Sequence, residues 1–106
     1  MSVLMTMVFK GDAAALEQYA AANADAMRGI IDHAVEHGVI AHRFYASNDG
    51  QLMVVDEWPD AESFQHFFEH MGDQIGPMMH AAGVNEEPNP VFWRKLDTRD
   101  DYGWDA

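Results

Sequence analysis

The chain has 106 residues, 48% of them hydrophobic, enough for one buried core and too few for two. Its 6 basic residues stand against 18 acidic ones, a net charge of −12 that excludes partners gripped through phosphates, nucleic acid and anionic membrane alike. The absence of cysteine excludes disulfides, thiolate nucleophiles and cysteine-bound metals.

Val3–Phe9 reads as a strand apolar on both faces. It is too short for an export signal and has no basic residue ahead of it. No run approaches the ~20 apolar residues of a membrane helix, so a cytoplasmic protein is expected. Lys10-Gly11 turns the chain, and Asp12 is placed to cap a helical segment from Ala13 to His37. Leu16, Tyr19, Ala20, Met27, Ile30, Ile31 and Ala34 recur along it at helical spacing as a packing stripe. Asn23-Ala24-Asp25 is a break or re-capping point, and Gly38 closes the segment.

Val39–Ser47 forms a second strand, Asn48-Asp49-Gly50 a hairpin turn, and Leu52–Trp58 a third strand. Pro59 stops the ladder, and Asp60 caps a helix running to about Met71. Gly72-Asp73 and Gly76-Pro77 are expected to interrupt that helix, with one more turn from Met78 to Ala82. After the turn-rich stretch Asn85–Pro90, Val91–Leu96 is the last strand. Residues 1–96 make the domain, and 97–106 an acidic tail bearing Tyr102 and Trp104.

The order is β-α-β-β-α-β, the ferredoxin-like α+β plan of a four-stranded antiparallel sheet with helices on one face. The first and third strands lie at its centre, and those are the two that are apolar on both faces. Helices cover one face only. The other needs a cover, and a second copy of the chain supplies it, so a face-to-face homodimer is expected.

Asp56-Glu57-Trp58, Pro59-Asp60-Ala61-Glu62-Ser63-Phe64 and Phe67-Phe68 resemble the antibiotic biosynthesis monooxygenase (ABM) domains, which are dimeric α+β barrel proteins. The resemblance runs from Val3 to Leu96 in element order as well as motif. It implies cofactor-free oxygenation of a small aromatic or polycyclic molecule, with haem binding or degradation, or a non-catalytic ligand-binding dimer, as alternatives. Trp58 matches the family's strand-end tryptophan and Phe64 the aromatic that opens its second helix. The quinone-forming oxygenases carry asparagine where this chain has Val54 and tyrosine where it has Phe64. The haem-degrading branch has an asparagine near Thr6 or Met7, a tryptophan at Phe67, and a haem-ligating histidine whose counterpart is His80.

Cofactor-free oxygenation asks the protein for a dry pocket, a base and a hydrogen-bond donor. Phe64, Phe67, Phe68, Met71 and Met78 are candidate lining, and Tyr45 and Trp93 are candidates to complete the wall. Trp58 Nε1 is a candidate donor, and Asp56, His80 or His42 candidate bases; core packing and a helix-end histidine are the plainer fates of the same residues. His33-Ala-Val-Glu36-His37 and His66-Phe-Phe-Glu69-His70 share the spelling of zinc-binding HxxEH segments. His66 and His70 fall about 180° from the phenylalanine stripe at 100° per residue, toward solvent, and no metal site is expected from them.

Overall fold

The strand alternation resolves into two faces of a single sheet. The computed structural model describes residues 1–104; Asp105 and Ala106, the end of the expected acidic tail, lie outside the described residues. Strands β1 (Val3–Lys10), β2 (Ala41–Ala46), β3 (Gln51–Trp58) and β4 (Val91–Arg94) pair antiparallel in the order β2-β3-β1-β4. Helices α1 (Ala13–Ala22), α2 (Ala24–Glu36) and α3 (Ala61–Ala81) complete a ferredoxin-like α+β arrangement. No helix among the described residues is long and apolar enough to cross a membrane.

Met5, Met7 and Phe9 of β1 and Leu52, Val54, Asp56 and Trp58 of β3 are buried, and their neighbours in sequence point the other way. The buried set packs against Phe64, Phe67, Met71 and Met78 of α3 and Leu16 of α1. On the opposite face Leu4, Val8, Tyr45, Val91 and Trp93 stand exposed. Tyr45 and Trp93, expected as candidate pocket wall, therefore belong to the face away from the helices.

Asn23 divides the long helical segment. Its backbone N–H and its Nδ2 both donate to Tyr19 O, at 2.9 and 3.0 Å, which ends α1, while its own carbonyl accepts from Met27 N to start α2. Gly38, at φ +100, follows α2 as expected: Gly38 N–H donates to Val35 O and Val39 N–H to Ala34 O. That pair of bonds satisfies the last carbonyls of the helix. Gly11 is required by proximity, since a Cβ there would lie 2.8 Å from Leu52 Cδ1 and 3.0 Å from Ala82 O.

Several strand ends differ from expectation by one or two residues. Strand β4 stops at Arg94 instead of Leu96, and β2 spans Ala41–Ala46 within the expected Val39–Ser47. More consequentially, α3 runs unbroken through Gly72, Gly76 and Pro77. Each interior glycine costs about 1 kcal/mol relative to alanine, and an interior proline about 3 kcal/mol. Burial of Met71, Met78 and Ala82, with Ile75 half-buried between them, offsets that local cost, because all four pack on the core at helical spacing. The helix ends where Gly83 N–H donates to His80 O and Val84 N–H to Met79 O.

Candidate functional site

Between the sheet and the α2–α3 layer lies a cavity of about 360 Å³, a size suited to a small organic ligand. Its walls are apolar over most of their extent. Met7, Phe9, Phe44 and Val54 rise from the sheet; Met27, Ile30, Ile31 and Ala34 come from α2; Phe64, Phe67, Phe68, Ile75, Met78 and Met79 come from α3. Phe64 and Phe68 stack with centroids 5.5 Å apart and planes 20° apart.

Two polar side chains enter this wall from the sheet, Asp56 of β3 and His42 of β2. Asp56 is 5% exposed and is the one buried charged side chain among the described residues. A buried carboxylate is costly unless bonded, and both oxygens of Asp56 are bonded. His42 Nδ1 donates to Oδ1 at 2.6 Å, and Trp58 Nε1 donates to Oδ2 at 3.0 Å. With Nδ1 bonded to the carboxylate, Nε2 is the ring nitrogen of His42 left for another partner. His42 and Asp56 both line the cavity. The hairpin explains their meeting: β2 and β3 pair in a register that sets His42 directly opposite Asp56 and Phe44 opposite Val54.

Of the residues expected to form the site, Asp56, Phe64, Phe67, Phe68, Met78 and His80 border the cavity. Trp58 does not: its indole is fully buried, with an edge contact to Phe64 at 5.7 Å and a tilted one to Phe67 at 5.5 Å. Its expected role as donor to a ligand is corrected accordingly, because its one N–H is committed to Asp56. Met71 also lies off the cavity, buried in the core behind it. His80 sits in the last turn of α3, exposed at the rim. The α2 wall was expected only as packing, and no sequence signal separates a residue that touches a neighbour from one that faces a void.

The four histidines of the duplicated segments lie outside this cavity, although Ala34, Phe67 and Phe68 between them line it. His33 and His37 bond through Nδ1 to the carbonyls of Gly29 and His33, and His70 to that of His66. His37 packs edge-on to Phe67 at 6.0 Å, and His66 and His70 are exposed. Among the described residues no group of three or more His, Cys, Asp or Glu converges on a common point as metal ligands would. A haem would need an axial imidazole, for which His80 is the candidate, and partners for two propionates. No Lys or Arg lines the cavity, and Glu86 adds a negative charge near the rim. The residues present do not fit a haem.

Asp60, which opens α3, has its carboxyl held below the usual 3.8, first by the Ser63 backbone N–H at 2.8 Å and then by the Ser63 hydroxyl.

No family model matches the sequence, and no curated protein does. Similarity is found in three dimensions. An antibiotic biosynthesis monooxygenase superposes with a TM-score of 0.61 at 12% identity, covering 92% of this chain and 100% of that one. SnoaB of Streptomyces nogalater, a cofactor-independent oxygenase, gives 0.60 at 14% identity, covering 94% and 98%. A dimeric ferredoxin-like protein from an uncultured marine organism gives 0.63 at 13%, covering 91% and 89%. The fold is thus the ferredoxin-like one of ABM-type proteins, as the sequence resemblance implied.

Proposed function

We propose that the chain is a cytoplasmic homodimer that oxygenates a small aromatic or polycyclic molecule in the cavity of each subunit, without metal, flavin or haem. The observation that carries this reading is the Trp58–Asp56–His42 chain ending at an otherwise apolar cavity. Buried Trp58 fixes one carboxylate oxygen, the other fixes Nδ1 of His42, and Nε2 remains as proton acceptor beside the ligand space. Asp56 acts on His42 and not on the ligand, which revises the expectation that it is itself a base.

The step suits a substrate whose ring CH2 is conjugated to a carbonyl through the flanking aromatic rings, as in anthrone. His42 takes one proton from that carbon, and the resulting enolate passes one electron to dioxygen. The two radicals combine in a C–O bond. Loss of the second C–H proton then forms the new carbonyl as the O–O bond breaks, and the outer oxygen leaves as water. One CH2 and one O2 become one C=O and one H2O, so no external reductant is needed. The apolar walls enclose the ring of the enolate, while His42, whose side chain is 32% exposed, reaches it from the open edge of the cavity. His80 lies at the rim, where it meets the polar edge of a bound ring.

The similarity of fold to SnoaB supports this reading. Support for the dimer comes from the exposed apolar side chains of the outer sheet face and from the dimeric ferredoxin-like relative. The direct test is oxygen uptake with anthrone as probe. Wild type is expected to consume one O2 per quinone formed, and His42→Ala to fall by about 10²-fold or more. Anthrone that binds yet is never oxidised would leave a non-catalytic binding dimer as the function.

A further inference from the structure

Phe68, Gly72, Ile75, Gly76 and Met79 all border the cavity and recur at intervals of three and four along α3. They face the same space as Met27, Ile30 and Ile31 of α2. Two of the five are glycines, and no close neighbour requires them. A Cβ built on Gly72 or Gly76 meets no atom within 4 Å, in contrast to Gly11, where it would collide. Neither has a positive φ. Alanine would therefore fit at both positions and strengthen the helix. Both glycines are exposed, whereas Met71 and Met78 on the core-facing side of α3 are buried, so the pair stands at the rim of the cavity.

Gly72 and Gly76 weaken α3 without a packing reason where it edges the cavity, whereas Pro77 of the same helix and the equally unhindered Gly29 of α2 do not border it. We infer that Gly72 and Gly76 are specificity-determining residues: they keep a slot open between α3 and α2, and its width sets the largest flat apolar ligand the cavity admits. This rests on the reading of the cavity as a ligand site and is independent of oxygenation. On this inference a side chain at either position takes up part of that open space beside the cavity. A narrow ring system then still enters, and a wider one is turned away.

The test is anaerobic fluorescence titration with two probes, 1-naphthol and the wider anthrone, so that binding is read without turnover. Wild type is expected to bind both. Gly72→Ala/Gly76→Ala is expected to melt at a higher temperature, to keep its 1-naphthol affinity, and to weaken anthrone binding about tenfold. Gly72→Leu is expected to abolish anthrone binding; should it fail to fold, the alanine pair decides. Unchanged anthrone binding in the alanine pair, equal loss of both probes, or failure of wild type to bind anthrone overturns the inference. Rim-dependent anthrone binding without oxidation sinks the oxygenase reading and leaves this one standing.

Discussion

The two faces of the sheet are built from the same four strands, one residue out of step, and they have opposite fates. The inner face buries Met5, Met7, Phe9, Val54 and Trp58 under helices and accommodates a single carboxylate with both oxygens bonded. The outer face leaves Leu4 45%, Val8 52% and Trp93 53% exposed, with the Trp93 indole N–H donating to Thr6 Oγ1 at 2.8 Å. Apolar side chains thus have two fates: inside they shape a cavity that His42 and His80 border, and outside they stand exposed on one face of the sheet. Hydrophobicity alone does not tell these fates apart. The polar residues do, because the one embedded among the inner set is connected to a histidine.

That contrast can be broken first at Asp56. Asp56→Asn keeps the volume but presents an amide to His42 and Trp58, so turnover is expected to fall by about 10²-fold or more, with the dimer intact; unaltered turnover removes His42 from the mechanism. Next comes Trp58→Ala, which empties the fully buried indole site and is expected to cost about 3–5 kcal/mol in denaturant unfolding. Trp58→Phe separates the two roles, since it retains most of the packing and loses the bond to Asp56. A turnover loss larger than its stability loss explains is the expected result.

On the outer face, Leu4→Asp and Trp93→Asp each replace a half-exposed apolar side chain, whose remaining surface the proposed dimer would bury, with a charge. Sedimentation is expected to show monomers that still bind anthrone; dimers that persist in the double variant would place the interface elsewhere. The smallest effect is electrostatic. Because the folded carboxyl of Asp60 lies below 3.8, its contribution is complete above the unfolded value and is lost as pH falls through the folded one. Asp60→Asn, which can still cap, is expected to flatten the acid limb of a melting-temperature profile while leaving neutral-pH stability nearly unchanged; an unchanged acid limb counts against the assignment.

Much of the frame was legible from residue order. Asp12, Gly38 and Asp60 sit where caps are needed, and the double-sided apolarity of Val3–Phe9 and Leu52–Trp58 marks the central strands. The unbroken α3 was not legible, because glycine and proline act locally while Met71, Ile75, Met78 and Ala82 act through contacts distant in sequence. Aromatic character and a place within the Asp56-Glu57-Trp58 motif mark Trp58 as a pocket candidate in the sequence. Its burial behind Phe64 and Phe67 follows only from how α3 lies on β3. The His42–Asp56 pair was legible in part, since a hairpin centred on Asp49 pairs position 42 with 56. The void itself has no residues of its own to announce it.

The hairpin register makes the chemistry of the cavity answerable to a turn that does not touch it. Gly50, at φ +87, and the bond from Ser47 N–H to Gln51 O at 2.9 Å fix how β2 is threaded against β3. One residue inserted between Ser47 and Gly50 would leave both strands and the outline of the fold in place. It would also turn His42 to the outer face and set Arg43 or Ala41 opposite Asp56. Length at this loop therefore goes with the His42–Asp56 pair, and a change in it is a way for a descendant of this chain to keep the fold and lose that pair.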